Sequence, residues 1–396
     1  MEALTVVSVA SVLPAATPRD RDPMGSIESA PGAQSAPSEG VVPRFEAGER
    51  SVPTGSFEVR ALRLGDLPAL RHFDVVFRLA QPEDQLLPYS PLRAGMSAIS
   101  SWPRPRRRLY VATRAGRVVG FVQFRPLHPD GRWLLVAVGA VSGKVDVGRV
   151  ADGLIQHGVI AAGRRGVKRL YARAPVGSPV SAALRAVGFT PFASEAVFVA
   201  HQPVVPAVDG RAQTDLRHQE QSDTWAIHQL YNAAVPKQVQ YAEAFTSHRW
   251  DVRAQRGRMP AVAVRGWLVE EGHHVVGYVR VASRRNTHAL EFVYLGERVD
   301  VLPTLIDGVL ARLRPQPIHR VYASVRGYQS EAATMLAQRG FTPVFEQDLH
   351  VKYTTANVRA PSFEVVRFHV DVRDKLPKRV PTFLQGQGHP RDEAVT

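Results

Sequence analysis

The 396-residue chain contains no cysteine. That excludes a disulfide framework, a thiolate zinc site, a cysteine nucleophile and a cysteine-ligated iron–sulfur cluster. Long apolar runs are missing too. No segment reaches 18 uninterrupted apolar residues, the length a membrane-spanning helix needs, so a soluble, cytoplasmic chain is expected. No His, Asp and Glu spacing suggests a metal site, so none is expected. Acids are comparatively scarce, 36 against 50 Lys and Arg, for a formal charge of +14. A basic excess favours an acidic partner, whether nucleic acid, an acidic protein or a nucleotide phosphate. An Arg-rich proteome gives the same excess with no partner at all. The hydrophobic share of 44% suits an ordinary core, and the length suits two or three domains.

The ends differ from the middle. Residues 1–56 are rich in Pro, Gly, Ser, Ala and charge, too poor in large apolar groups to offset ordering entropy, and read as a disordered extension. Ala3–Leu13 is apolar but lacks the basic residues that open a signal peptide. A start at Met24 would remove it. Residues 356–396 read as a C-terminal tail, with an edge strand over Phe363–Val372 as one alternative for part of it. Lys375, Lys378 and Arg379 in the tail either meet a phosphate backbone or are simply solvated.

Between the ends the sequence repeats. Arg60 and Arg217 lie in matching contexts 157 positions apart, as do Gly120 (RVVGFVQF) and Gly277 (HVVGYVRV). Tyr171 and Tyr322 are 151 apart, and Gly188–Pro191 recurs as Gly340–Pro343, 152 apart. Four anchors in one order predict two structural copies, one at 57–202 and one at 214–355, joined by a linker at 203–213. In copy one the pattern predicts a strand at Phe57–Leu62, a helix from Leu67 to Leu79 capped by Asp66, and a short helix at Pro91–Ser100. A hairpin then turns at Ala115–Gly116, and a strand runs over Arg132–Val141. Helix Val147–Arg165, strand Val167–Ala174, helix Pro179–Val187 and strand Phe192–His201 complete it. Copy two repeats the scheme, ending with helix Val301–Leu313, strand His319–Val325, helix Ser330–Arg339 and strand Val344–Tyr353.

This order, with its closing strand, short helix and Gly-Phe (KRLYARAPVGSPVSAALRAVGFTPF and HRVYASVRGYQSEAATMLAQRGFTPVF), resembles that of the GNAT superfamily of acyl-CoA N-acyltransferases. The resemblance implies an α/β fold of two tandem GNAT-like domains, each a mixed, mostly antiparallel sheet flanked by helices, the two packing as a pseudo-dimer. It implies acetyl-CoA or another acyl-CoA as co-substrate and direct attack of an amine on the thioester. In the family, backbone amides of the fourth strand hold the pantetheine, and a glycine-rich loop before the next helix takes the pyrophosphate. The corresponding residues here are Val138, Gly139, Ala140 and Val141 on the strand, then Gly143, Lys144, Gly148 and Arg149. The glycine spacing departs from the family pattern, so this loop either binds phosphate or is a plain turn. In copy two the loop carries Glu297 and Asp300, which repel an anion.

The tyrosine that often protonates the thiolate in the family falls at Leu184 and Leu336, which cannot donate a proton. Glu291, on copy two's fourth strand, is the candidate general base. Alternation places it with Val293 and Leu295, opposite Leu290, Phe292 and Tyr294. It is either a base in an apolar setting or an acid paired with Arg280, Arg284 or Arg285. His288 and the pair His273–His274 are weaker candidates. Trp102–Arg108 (WPRPRRR) is the densest basic run and suits phosphate contacts or a solvated loop. Two functions follow: an acyl-CoA-dependent N-acyltransferase, or a catalytically inactive tandem binding module for nucleic acid or an acidic partner.

Overall fold

The computed structural model describes residues 57–354, apart from 74, 80–83, 85, 87, 101–107, 128–130, 142–145, 204–214, 253–261 and 314–319. The N-terminal extension, the C-terminal tail, Trp102–Arg107, almost all of the linker, Gly143 and Lys144 lie outside the described residues. The first half contains strands β1 (Glu58–Ala61), β2 (Val75–Arg78), β3 (Arg108–Arg114), β4 (Arg117–Leu127), β5 (Arg132–Ala140), β6 (Arg169–Pro175) and β7 (Thr190–Ala200). Its α-helices are α1 (Pro91–Ser100), α2 (Val147–Gly163) and α3 (Pro179–Ala186). The second half contains β8 (Leu216–His218), α4 (Thr224–Ala234), α5 (Lys237–Glu243), β9 (Ala263–Glu271), β10 (His274–Arg284), β11 (Thr287–Tyr294), α6 (Val301–Leu313), β12 (Arg320–Arg326), α7 (Ser330–Ala337) and β13 (Thr342–Tyr353).

Local chemistry explains the repeat anchors. Arg60 makes a two-pronged ion pair with Asp66, which also accepts from the Arg63 amide. Arg217 does the same with Asp223, which accepts from the Glu220 amide. Asp66 therefore sits inside a 3₁₀ turn (Leu64–Arg71) and bonds back to its start, where the pattern had placed it as the cap itself. Gly120 lies beneath α2, and an added Cβ would meet Val150 at 2.4 Å. Its counterpart Gly277 lies beneath α6, where a Cβ would meet Leu305 at 3.0 Å. Gly188 and Gly340 follow the short helices with φ +85° and +78°, and the next residues, Phe189 and Phe341, turn into the core.

One expectation is overturned. The segment after Arg71 does not continue as a helix to Leu79. Val75–Arg78 is strand β2, antiparallel to β5, with Val76 opposite Gly139 and Phe77 opposite Val138. The run Val75–Val76–Phe77 has β-branched and aromatic character, and β5 offers an open edge.

All the described strands join one mixed sheet, ordered β1-β3-β4-β5-β6-β13-β7-β12-β11-β10-β9-β8, with β2 off this path beside β5. The two expected sheets are continuous because the halves exchange their last strands. β13 pairs with β6 of the first half, and β7 pairs with β12 of the second. At the centre β7 and β13 pair antiparallel, with Glu195 opposite Gln347. These two residues are 152 apart, the repeat offset, so a pseudo-two-fold axis passes between them. Each half covers both sheet faces. α2 and α3 bury one apolar cluster around Leu154 and Leu184, while Leu70, Phe73 and Phe121 fill the other face beside α1. In the second half α6 and α7 cover Leu290, Phe292 and Tyr294, and α4 covers Val293 and Leu295.

Candidate functional site

The fourth strand of each half, β5 and β11, pairs with a parallel neighbour and then diverges from it. In the first half the parallel pairing of β5 with β6 covers Arg132–Leu134 and then stops. The gap that opens there is filled by the chain itself. β2 takes up the β5 edge at Ala137–Ala140, and Leu79 bridges the gap: its amide donates to the Val136 carbonyl at 2.8 Å, and its carbonyl accepts from the Arg173 amide at 3.2 Å. The other edge of β5 is paired with β4. Val138, Gly139 and Ala140 therefore lie between two antiparallel neighbours, and the Val141 amide donates to Val119.

The start of α2 is likewise satisfied internally. Asp146 caps it, its carboxylate accepting from the Gly148 amide at 2.8 Å and the Arg149 amide at 3.3 Å. A carboxylate thus occupies the two amides that an anion would use. The described residues of this half do not fit acyl-CoA as the resemblance requires.

In the second half β11 pairs with β12 over Thr287–Glu291 before diverging. The Arg298 guanidinium binds both Glu271 and Asp300 ahead of α6, so acids crowd the place of the pyrophosphate. The Phe292 carbonyl on the diverging edge accepts from Gln329 Nε2. Both contacts stand against an anion and a pantetheine in this half. Leu184 and Leu336 are fully buried in their cores.

A cleft nevertheless opens here, over the face of β11 and β12 carrying Glu291, beneath α4, α5 and the 3₁₀ turn Ser247–Arg249. Glu291 stands at its floor. Its register partner on β10 is Arg280 and on β12 is Ser324. Its carboxylate meets Arg249 at 2.8 Å and Arg280 at 3.4 Å. Burial pushes its pKa up, but Arg249 and Arg280 outweigh that and hold it down at about 2. Such a group is a firm anion and a weak base. Of the three arginines named from the sequence, Arg280 is a partner.

Sequence reasoning missed the rest of the cleft. Glu195 on β7 meets Arg173 at 2.8 Å, Arg326 at 3.1 Å and Gln347 Nε2 at 2.6 Å. Glu243 meets Arg326 at 3.0 Å and accepts from Tyr231 Oη at 2.8 Å. Burial raises the Tyr231 phenol and the adjoining Glu243 raises it further, so it stays protonated. A signal was present in the repeat: where copy one has Arg173 and Pro175, copy two has Ser324 and Arg326, so each strand carries an inner arginine at a place where the other copy has none. His288 is fully buried, bonds Ser283 through Nδ1, and has its pKa lowered by burial. Among the described residues no group of His, Asp and Glu could hold a metal.

Apart from β2, the order of elements in each half resembles the GNAT order, and the described residues form an α/β fold of two tandem GNAT-like halves. No protein-family model matches the chain, and no curated protein matches it. Solved structures do. A GCN5-related N-acetyltransferase from Sphaerobacter thermophilus is similar at 14% identity and a TM-score of 0.49, covering 75% of this chain and 95% of that one. A tandem GNAT protein from the clavulanic acid biosynthesis pathway is similar at 15% identity and 0.46, covering 75% and 98%. A GCN5-related N-acetyltransferase from Anabaena variabilis is similar at 13% and 0.43, covering 76% and 73%.

Proposed function

We propose that this chain is a binding module built on two acetyltransferase-type halves, and that it binds a small molecule in the second half's cleft without transferring an acyl group. One observation carries the proposal: β2 and Leu79 fill the divergence of β5 and β6, where a thioester's pantetheine would have to pair. Displacing a strand means breaking a paired edge and exposing Leu79, which is fully buried. The Asp146 cap and the acids before α6 support the same reading. Calorimetry and thermal shift with acetyl-CoA test it. No heat and no stabilisation are expected. Micromolar binding that is lost on Lys144→Glu plus Arg149→Glu overturns it and restores the acyltransferase.

Acyl transfer in the second half is the competing reading, favoured by Glu291 lying in an open cleft beside a strand divergence. Its pKa near 2 counts against a base role. Release of free thiol from acetyl-CoA in the presence of amines would establish that reading. The basic excess keeps nucleic acid as a separate partner proposal, and a salt-dependent titration decides it.

A further inference from the structure

We infer that the second half's cleft takes a small organic acid, one carboxylate on an aromatic or branched apolar body, and that both halves build the site. This names the ligand class for the binding-module reading and rests on it.

Consider first the floor. Arg280, Glu291 and Ser324 are register partners side by side across β10, β11 and β12. Two residues along β12, Arg326, Glu195 and Gln347 form the next row across β12, β7 and β13. Direct partners share a face, so the two rows make one polar floor. Arg173 and Glu195 come from the first half, and the floor exists because the last strands are exchanged.

The charges along the cleft do not cancel. Its lining includes four arginines and three glutamates. Each glutamate already has an arginine: Glu291 has Arg249 and Arg280, Glu195 has Arg173 and Arg326, and Glu243 has Arg326. Among the lining residues the arginines outnumber the glutamates by one.

Two donors also remain unused. Arg326 gives Nε to Glu195 and Nη2 to Glu243, while its Nη1 is buried with no partner among the described residues. The Ser324 hydroxyl is buried and unpartnered as well. Both residues lie on one face of β12 and line the cleft. A buried guanidinium N–H without an acceptor is costly, so an acceptor belongs there. An oxyanion on this arginine-rich floor accepts from both donors together.

The walls set the body of the ligand. Phe245, Trp250 and Tyr328 line the cleft with Val235. The space a water can enter is small, about 40 Å³, and it opens to solvent, so the cleft encloses a carboxylate and leaves the apolar body against the walls toward the mouth.

The test uses the full chain in calorimetry and thermal shift. The probes are isovalerate, benzoate and phenylacetate, with phenylacetamide, phenethylamine and inorganic phosphate for contrast. At least one carboxylate is expected to bind and raise Tm, about tenfold or more tighter than phenylacetamide, with phenethylamine excluded. Ser324→Ala is expected to keep the unliganded Tm and weaken the carboxylate about fivefold. The inference is overturned if no carboxylate in the set binds, if the amide or the amine binds as well, if phosphate binds as tightly, or if Ser324→Ala changes nothing. The acetyl-CoA titration is read separately. Its success would overturn the binding-module reading and leave the acid–amide comparison to decide this one.

Discussion

Glu291 is a carboxylate held between the Arg249 and Arg280 guanidiniums at the floor of the cleft. Alternation along β11 places it opposite Leu290 and Phe292, and the structure has it there. Hairpin pairing made Arg280 a nameable partner. Arg249 was not nameable, because it sits 42 residues away in a 3₁₀ turn and reaches Glu291 through tertiary packing. The same holds for Glu195 and Arg326, which meet across the strand exchange. The consequence is a pH dependence. A carboxyl whose folded pKa falls from 4.5 to about 2 adds stability that is present above pH 4.5 and is lost as pH falls toward about 2. That is on the order of 3 kcal/mol. Glu291→Gln should therefore unfold at lower urea at pH 7, because Arg249 and Arg280 lose their shared anion, and should lose less stability than the parent between pH 5 and about 2.5. Parallel acid curves for parent and variant would sink the assignment.

Among the elements, those with clear punctuation were legible to the residue. Pro91–Ser100 and Val301–Leu313 are the helices their patterns predict. β2 was not legible. Its apolar spacing also suits a helix, and what makes it a strand is an open edge on β5 some 60 residues later. Leu79, fully buried at the end of that strand, is the residue to test. Leu79→Ala should cost roughly 2–5 kcal/mol in urea unfolding. In the parent, the Leu79 and Arg173 amides should exchange slowly with deuterium, and saturating acetyl-CoA should leave them so. Deprotection by acetyl-CoA would mean that the strand is displaced by cofactor.

The repeated hairpin glycines give a graded prediction of the same kind. An added methyl at Gly120 would lie 2.4 Å from Val150, and one at Gly277 would lie 3.0 Å from Leu305. Gly120→Ala should therefore destabilise by about 1–3 kcal/mol, and Gly277→Ala by clearly less. Equal losses in thermal melts would show that helix-to-sheet approach is not what these glycines allow.

For the whole molecule, the repeat was visible in the sequence but the exchange of strands was not. Gly188–Pro191 and Gly340–Pro343 are identical, so each final strand carries a start compatible with either half's penultimate strand. No local pattern decides between them. The structure joins β13 to β6 and β7 to β12, and then ties the halves further: Tyr171 Oη donates to the Ala242 carbonyl, and the Arg132 guanidinium donates to the Ala244 carbonyl. Halves that share their central strands cannot unfold separately without leaving two sheet edges open. Trp133 reports on the first half and Trp267 on the second, both buried. Urea unfolding followed by either tryptophan, with the other tryptophans replaced by phenylalanine, should give one coincident transition. Glu195→Gln, which leaves Arg173 and Arg326 without their shared carboxylate at the pseudo-axis, should move that transition to lower urea by about 3 kcal/mol without splitting it. Two separated transitions would show that the halves are independent and that the central strand pairing contributes little. The composite cleft would then have no cooperative scaffold to hold Arg173 and Glu195 against Arg326.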